Sequence, residues 1–272
     1  MPFASARVAP LEWVDSRTDS WEESRSMPNR ILTAVPVYNE AKHVREVLAQ
    51  IRQYSSNILV VNDGSTDGTG KLLDGESGIA RVDHTSNRGY GAALISAFQF
   101  ALERDVEVLV TMDCDGQHEP SRIAVLLEAI HDCDIVSGSR YYRDFRQDTP
   151  APSDRRFINA TITREVNARY GFDLTDSFCG FKAYRRVALE KLRITEQGWG
   201  MPLQLWVQAA RQGLRVKEIG VPRLYLDPTR AFGGVMNDPE QRLEYYRGVL
   251  ASAEHDQLPG RGMLQPACAE SR

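Results

Sequence analysis

The residues best suited to chemistry form the stretch Met112-Asp113-Cys114-Asp115-Gly116-Gln117-His118. It follows a short apolar run, residues 106–110, which predicts a buried strand. Because side chains alternate across a strand, we expect Asp113 and Asp115 to point the same way. Two adjacent carboxylates repel each other unless a cation or a shared proton lies between them. A hard divalent metal ion with positions open to phosphate oxygens is the usual partner of such a pair.

An alternative interpretation is a turn that leads into a helix. Asp initiates turns and caps helices, so Asp-x-Asp also occurs without any metal. Gly116 and Ser121 fit this alternative, because residues 122–127 suit a helix. Taken alone, the stretch favours neither interpretation, and the elements that position it must decide.

Strand-like and helix-like segments alternate around this stretch for more than a hundred residues. Strands are predicted at 31–35, where Pro36 ends the run, and at 58–61, 79–82, 106–112 and 134–138. Helices are predicted at 42–54, 69–73, 91–104 and 121–131. The alternation is typical of an α/β domain with a mostly parallel central sheet flanked by helices. Ligands of such sheets bind beyond the carboxyl ends of the strands, where segments 36–40, 62–67, 87–91 and 113–117 fall.

The second half of the chain is less regular. Residues 141–154 predict a long loop, which is uncommon unless it is functional or mobile. Helices are predicted at 155–170, 203–212 and 240–251, and a strand at 214–221. We therefore expect one domain over residues 29–254, with tails at 1–28 and 255–272.

Composition limits the class of protein. The chain has 272 residues and a net charge of −4, which gives no basic field for nucleic acid. Apolar runs are too short for a membrane-spanning helix, and no signal-peptide core is present. Four cysteines without paired metal spacing favour reduced thiols and a cytoplasmic location; they are Cys114, Cys133, Cys179 and Cys268.

Six strings in order carry a family resemblance. They are Val35-Pro36-Val37-Tyr38-Asn39-Glu40, Val61-Asn62-Asp63-Gly64-Ser65-Thr66-Asp67-Gly68-Thr69, Asn87-Arg88-Gly89-Tyr90-Gly91-Ala92-Ala93, Met112-Asp113-Cys114-Asp115-Gly116-Gln117-His118-Glu119-Pro120, Ser137-Gly138-Ser139-Arg140-Tyr141 and Thr175-Asp176-Ser177-Phe178-Cys179-Gly180-Phe181-Lys182. Together they resemble the inverting family-2 glycosyltransferases of GT-A fold. The last two are similar to the dolichol/polyprenol-phosphate mannose and glucose synthase branch. The resemblance covers about residues 30–235.

The resemblance implies a Rossmann-like GT-A domain whose nucleotide-sugar-binding half is 29–140 and whose acceptor-binding half is 141–254. The implied cofactors are Mg²⁺ or Mn²⁺, held by Asp113, Asp115 and Gln117, and a donor such as GDP-mannose or UDP-glucose. Donor contacts are implied for Pro36, Tyr38, Glu40, Asp63, Asn87, Gly91, Asp113 and Asp115.

Three donor-side residues carry more specific expectations. Glu40 is expected at the ribose, although it also suits the N-terminus of the following helix. Asp63 is expected to accept an N–H of the base, and the alternative is a turn former. His118 is taken as a turn residue.

Arginines dominate the stretch that follows the fifth predicted strand. Residues 140–169 hold seven Arg against four acids, which gives +3, and no Lys. Arginine suits bidentate recognition of phosphate. The resemblance implies that Arg140 and either Arg155 or Arg156 hold the acceptor phosphate.

Two further catalytic roles rest on the resemblance. Asp176 is a candidate base or orienting group beside the acceptor. Arg230 is implied at the diphosphate, although Gly234 and Val235 stand where the family usually has Ser.

The predicted activity is metal-dependent, inverting transfer of a hexose to a polyprenyl or dolichyl phosphate. Two alternatives stay open: transfer to a soluble hydroxyl acceptor, for which Asp176 would be an essential base, and a non-catalytic nucleotide-sugar-binding module. A lipid acceptor would require peripheral contact with the inner face of a membrane, and the arginine-rich loop with Tyr141, Tyr142 and Phe145 is the candidate. The sequence does not indicate an oligomeric state.

Overall fold

Seven strands form one sheet in a computed structural model that describes residues 30–226 and 232–256. They are β1 (Ile31–Val37), β2 (Ile58–Asn62), β3 (Ala80–Asp83), β4 (Val108–Thr111), β5 (Ile135–Ser139), β6 (Lys182–Arg185) and β7 (Val216–Gly220). The predicted tail at 1–28, most of the tail at 255–272, and Arg230 lie outside the described residues.

The strand order is β3-β2-β1-β4-β6-β5-β7. All neighbouring strands are parallel except β6, which is antiparallel to both β4 and β5. The prediction of a mostly parallel α/β sheet is confirmed. Strand β6 was not predicted, because its Lys-Ala-Tyr-Arg sequence shows no apolar run.

Helices cover both faces of the sheet. They are α1 (Val44–Ile51), α2 (Thr69–Asp74), α3 (Tyr90–Glu103), α4 (Ile123–Ala129), α5 (Ser153–Tyr170), α6 (Arg186–Lys191), α7 (Met201–Arg211) and α8 (Pro239–His255). Helices α1, α2 and α4 pack on one face, and the other five pack on the opposite face. Central strands are therefore buried on both sides, which explains their unbroken apolar sequences.

Pro36 does not end the first strand, contrary to the prediction. Strand β1 continues to Val37, and Pro36 pairs in register with Val61 of β2. Pairing of β1 with β4 stops at Ala34. The missing N–H of Pro36 is tolerated because this end of β1 has no ladder on its β4 side.

The direction of the strands places the loops that follow β1 to β5 together. Strands β1 to β5 all run the same way, so the loops that follow them meet at one edge of the sheet. Glycine at 116, with φ of 74°, turns the chain after β4. This edge carries the polar segments that the sequence singled out.

Candidate active site

A cavity of about 780 Å³ opens at this edge of the sheet. Most of the predicted site residues line it: Pro36, Tyr38, Glu40, Asp63, Asn87, Asp113, Asp115, Gln117, Arg140 and Arg155. Gly91, Arg156 and Asp176 were predicted to contact a substrate directly, but they do not line this cavity.

Asp113 and Asp115 both face the cavity, but not through strand alternation. Strand β4 ends at Thr111, and the chain then bends. Asp115 is held by Gln117, which donates its main-chain N–H to Oδ1 at 3.0 Å and its amide to Oδ2 at 2.8 Å. A turn therefore presents the two carboxylates to the cavity, and the metal site stays a prediction.

Asp113 is fixed from three sides. The Tyr90 hydroxyl donates to its Oδ1 at 3.0 Å. Its main-chain N–H donates to Nδ1 of His118 at 3.2 Å, and the His118 ring stacks on Phe181 at 5.1 Å. A Cβ on Gly180 would lie 2.6 Å from its Oδ2. His118 thus stabilises the turn, and the lack of a side chain at Gly180 leaves room for the Asp113 carboxylate.

The donor set of this turn suits a hard cation. Asp113 and Asp115 offer carboxylate oxygens to the cavity. Across residues 30–226 and 232–256, no three His, Cys, Asp or Glu side chains are grouped to enclose a metal by themselves. Mg²⁺ and Mn²⁺ fit such a set, because one or two carboxylates hold them and phosphate oxygens and water complete the shell. A closed structural zinc site, with four protein ligands, does not fit.

Asp63 is buried, and its carboxylate organises the loop after β3. Its Oδ1 accepts from His84 Nδ1 at 2.6 Å and from the Arg88 N–H at 2.9 Å, while Oδ2 accepts the Gly89 N–H at 2.8 Å. His84 also contacts the Ser96 hydroxyl at 2.8 Å. A carboxylate has about four acceptor sites, so one is left for a ligand. Its expected contact with the base stays a prediction.

The loops after β1 and β2 are tied together beside Asp63. Asn39, with φ of 56°, accepts the Thr66 N–H at 2.7 Å through its side-chain oxygen. Asp67 accepts the Ala41 N–H at 3.0 Å and bonds to Thr69. Burial raises the pKa of Asp67, but the hydrogen bonds from Thr69 and Ala41 outweigh it and lower the pKa. Glu40 is buried in the same wall.

Asp176 lies behind Arg140 rather than in the cavity. It is fully buried, and Nε and Nη2 of Arg140 donate to its two oxygens at 2.7 and 3.0 Å. The Arg140 N–H, the Asn159 amide and the Phe178 N–H complete its hydrogen bonds. Burial raises the pKa of Asp176, but the charge and hydrogen bonds of Arg140 dominate and lower it to about 2. This carboxylate therefore holds the Arg140 guanidinium in place, and its role in catalysis stays a prediction.

Arg242 is a cavity residue that the sequence analysis missed. It lies on α8, is buried, and pairs with Asp154. Its guanidinium lies 4.6 Å from the Phe232 ring centroid, and the guanidinium of Arg155 lies 4.8 Å from the same ring. Arg140, Arg155 and Arg242 thus form a basic wall of the cavity, which is called the acceptor side after the predicted role of Arg140 and Arg155. The wall that contains Asp113 and Asp115 is called the donor side after the predicted role of these two residues.

The remaining predicted residues have other surroundings. Arg156 is exposed, and its neighbour Arg155 lines the cavity instead. Gly91 is buried, and a Cβ there would lie 2.3 Å from the carbonyl oxygen of Glu196. Gly91 therefore allows close packing of the 196–198 segment onto α3, and no cavity contact is formed.

Comparison with known proteins gives the family of the chain. A family model described as glycosyl transferase family 2 matches residues 33–193. An undecaprenyl-phosphate mannosyltransferase from Micrococcus luteus is 33% identical over 220 residues, covering 77% of this chain and 90% of the relative. A polyprenol monophosphomannose synthase from Mycolicibacterium smegmatis is 32% identical over 209 residues, covering 71% and 76%.

Solved structures extend the comparison to the fold. Glucosyl-3-phosphoglycerate synthase from Mycobacterium tuberculosis, in complex with Mn²⁺, uridine diphosphate and phosphoglyceric acid, superposes with a TM-score of 0.63. The match covers 86% of this chain and 81% of that chain at 18% identity. At this identity the likeness concerns the fold alone.

Proposed function

The chain belongs to glycosyl transferase family 2, and from that membership we propose that it transfers a hexose from a nucleotide sugar to the phosphate of a polyprenyl phosphate. The predicted family, the GT-A fold and the hexosyltransferase class are confirmed. The donor, the metal, the acceptor and the role of each residue are our proposal.

The observation that carries the proposal is the state of Asp176. Transfer to a hydroxyl requires a base to remove its proton, whereas an ionised phosphate oxygen is already a nucleophile. Asp176 is buried behind Arg140, accepts five hydrogen bonds and has its pKa lowered to about 2. With Asp176 held ionised behind Arg140 and three arginines on one wall of the cavity, the site suits a phosphate acceptor.

The proposed reaction is a single displacement. Arg140, Arg155 and Arg242 hold the acceptor phosphate through charge-assisted hydrogen bonds. One phosphate oxygen attacks the anomeric carbon, the bond from that carbon to the diphosphate breaks, and its electron pair leaves with the nucleoside diphosphate. Catalysis then consists mainly of positioning and of stabilising charge.

The donor side would hold the nucleotide sugar. Asp113 and Asp115 would bind Mg²⁺ or Mn²⁺, with Gln117 supporting Asp115 or binding directly. When bound, the metal would neutralise charge on the departing diphosphate. The names of the two relatives support a mannosyl donor, so GDP-mannose is the first donor to test and UDP-glucose is its comparison.

The proposal includes peripheral contact with a membrane, and the structure changes the residues expected to make it. Of the three aromatic residues expected there, only Tyr142 is exposed, while arginine guanidinium groups lie over the rings of Tyr141 and Phe145. Nearby candidates for lipid contact are the exposed Phe157 and Leu226. None of the helices in the described ranges has the length and apolar character needed to cross a bilayer.

The experiment is a transfer assay with Mn²⁺, a nucleotide sugar and a short polyprenyl phosphate. We expect lipid-linked hexose and free nucleoside diphosphate in equal amounts. Arg155→Gln should lose most of this activity, whereas Arg156→Gln, which changes the exposed neighbour, should keep it. Transfer to a soluble hydroxyl compound but not to the lipid phosphate would reject the proposed acceptor.

A further inference from the structure

One large aromatic side chain in the cavity has no role so far. Trp199, in the segment between α6 and α7, lines the cavity and is 38% exposed. Within the part of the chain that the structure describes, no hydrogen bond involves its indole N–H. An exposed tryptophan in a cavity offers both a flat apolar surface and a donor to a ligand.

Trp199 lies between the donor side and the acceptor side. Its ring stacks on Tyr90 at a centroid distance of 5.3 Å and an interplanar angle of 14°. The Tyr90 hydroxyl in turn donates to Asp113. Towards the acceptor side, the ring of Trp199 contacts that of Phe232 edge-on, with 5.4 Å between the centroids. The guanidinium groups of Arg155 and Arg242 lie over the Phe232 ring.

The segment around Trp199 is held firmly. Glu196 Oε1 accepts the Gly198 N–H and the Tyr245 hydroxyl, each at 2.7 Å. The Gln204 side-chain oxygen accepts the N–H groups of Thr195 and Glu196, each at 2.8 Å. The tryptophan is thus presented at a fixed position, although much of its surface is open. A fixed ring binds a partner at a smaller cost in side-chain entropy.

We propose that Trp199 packs against the hexose of the donor and contributes to the choice of sugar. The inference rests on the proposed function. The sugar is joined to the diphosphate, which the donor side would hold, and it must lie where the acceptor phosphate can reach its anomeric carbon. Trp199 lies between these two places, with Tyr90 on the donor side and Phe232 on the acceptor side. The negative face of its ring suits the C–H groups of a pyranose, and the N–H suits a hydroxyl.

The test compares binding of a nucleotide sugar with binding of the same nucleoside diphosphate, each with Mn²⁺, by calorimetry. Only the first ligand carries a hexose. Trp199→Leu should weaken nucleotide-sugar binding roughly tenfold and leave diphosphate binding within about twofold. Trp199→Phe, which keeps a ring, should lie nearer the wild type. Tyr54→Leu removes an aromatic ring of similar exposure in the turn after α1, outside the cavity lining, and should change the binding of neither ligand.

Two results would overturn the inference. Equal weakening of both ligands would give Trp199 a purely structural role, and unchanged sugar binding with a raised KM for the acceptor would assign it to the acceptor. Failure of the proposed function is a separate result. If wild-type protein binds the nucleotide sugar but transfers nothing to polyprenyl phosphate, the acceptor proposal fails while the binding comparison still decides the role of Trp199.

Discussion

Asp176 and Asp63 are buried carboxylates whose oxygens are used mainly by donors of the same chain. Each therefore controls another part of the site: Asp176 fixes the Arg140 guanidinium, and Asp63 fixes the loop at residues 84–89. Asp113 and Asp115 face the cavity, where the Tyr90 hydroxyl donates to Asp113 and Gln117 donates to Asp115. At the scale of single residues, Asp176 and Asp63 position other groups of the site, whereas Asp113 and Asp115 suit a cation.

The first prediction concerns Asp176→Asn. Burial raises the pKa of Asp176, but the charge and hydrogen bonds of Arg140 outweigh it and lower this pKa from 3.8 to about 2, so the folded state disfavours the proton. Stability from this group is present above pH 4 to 5 and is lost as the pH falls towards 2. The substitution should cost about 2 kcal/mol at pH 7, and the difference from wild type should shrink below pH 4. Denaturant unfolding at pH 7, 5 and 3 measures it.

Asp134→Asn is the control for this change. Asp134 pairs with Arg215, whose side chain is 59% exposed, and such pairs contribute about 0–1 kcal/mol. Activity separates the roles further. Asp176→Asn should raise the KM for the acceptor more than that for the donor, because Arg140 loses its support. A fall in kcat alone, with a new dependence on pH near neutrality, would instead make Asp176 a base.

The second prediction concerns Gly180→Ala. The new Cβ would lie 2.5 Å from the Tyr90 hydroxyl oxygen and 2.6 Å from Oδ2 of Asp113. Both atoms end flexible side chains, so the side chains should move and the fold should persist. We expect the affinity for Mn²⁺ in the presence of nucleoside diphosphate to fall roughly tenfold or more, with little change in melting temperature. Unchanged metal affinity would show that Asp113 does not need this position.

Site residues that lie in a sequence motif could be predicted, whereas those that only packing brings to the site could not. Asp113, Asp115 and Arg140 could be predicted, because each follows a recognisable strand within a family-like string. Arg242 and Trp199 could not. Arg242 lies on a polar helix like many surface arginines, and only packing against Phe232 and Asp154 brings it into the cavity.

At the scale of elements, apolar periodicity identified every strand that has an apolar run. It missed β6, where Lys182 and Arg185 flank two residues. Strand β6 lies inside the sheet because β4 and β5 pair with its two edges. Lys182 of this strand is buried, with its ammonium group over the ring of Trp206. Such burial is set by strand order, which the local sequence does not encode. The predicted end of β1 at Pro36 was wrong for the same reason.

The third prediction concerns the junction of α3 with the segment that carries Trp199. Gly91→Ala would bring a Cβ within 2.3 Å of the Glu196 carbonyl oxygen, a main-chain atom that cannot move alone. We expect a loss of about 1–3 kcal/mol in the free energy of unfolding, together with weaker nucleotide-sugar binding. Gly248→Ala is the matched control.

Gly248 lies on the exposed side of α8, with no atom within 4 Å of the added Cβ. Alanine there should stabilise the protein by about 0.5–1 kcal/mol, because glycine is a poor residue within a helix. Chemical unfolding of both variants gives the comparison. If Gly91→Ala is as stable as wild type, the 196–198 segment must tolerate displacement, and the firm placement of Trp199 would be in doubt.

At the scale of the whole molecule, one cavity joins two walls of opposite charge. Asp113 and Asp115 follow β4 on the donor side, whereas Arg140 follows β5 and Arg242 comes from α8. The chain as a whole carries −4, so the basic wall is a local feature. Binding of the two substrates should therefore be separable by substitutions in the two walls.

Thermal unfolding tests this separation as the fourth prediction. A donor at about 100 times its dissociation constant adds roughly 2.7 kcal/mol, which corresponds to a rise of about 5–10 °C in Tm for a domain of this size. With Mn²⁺ and GDP-mannose or UDP-glucose, wild type and Arg155→Gln should both show this rise. Asp115→Ala, or chelation of the metal, should remove it, because the diphosphate then lacks its cation. Arg155→Gln should nevertheless lose most of its transfer of hexose to polyprenyl phosphate. Loss of the donor-induced rise in Arg155→Gln would place that arginine on the donor, and the division of the cavity into two walls would then be wrong.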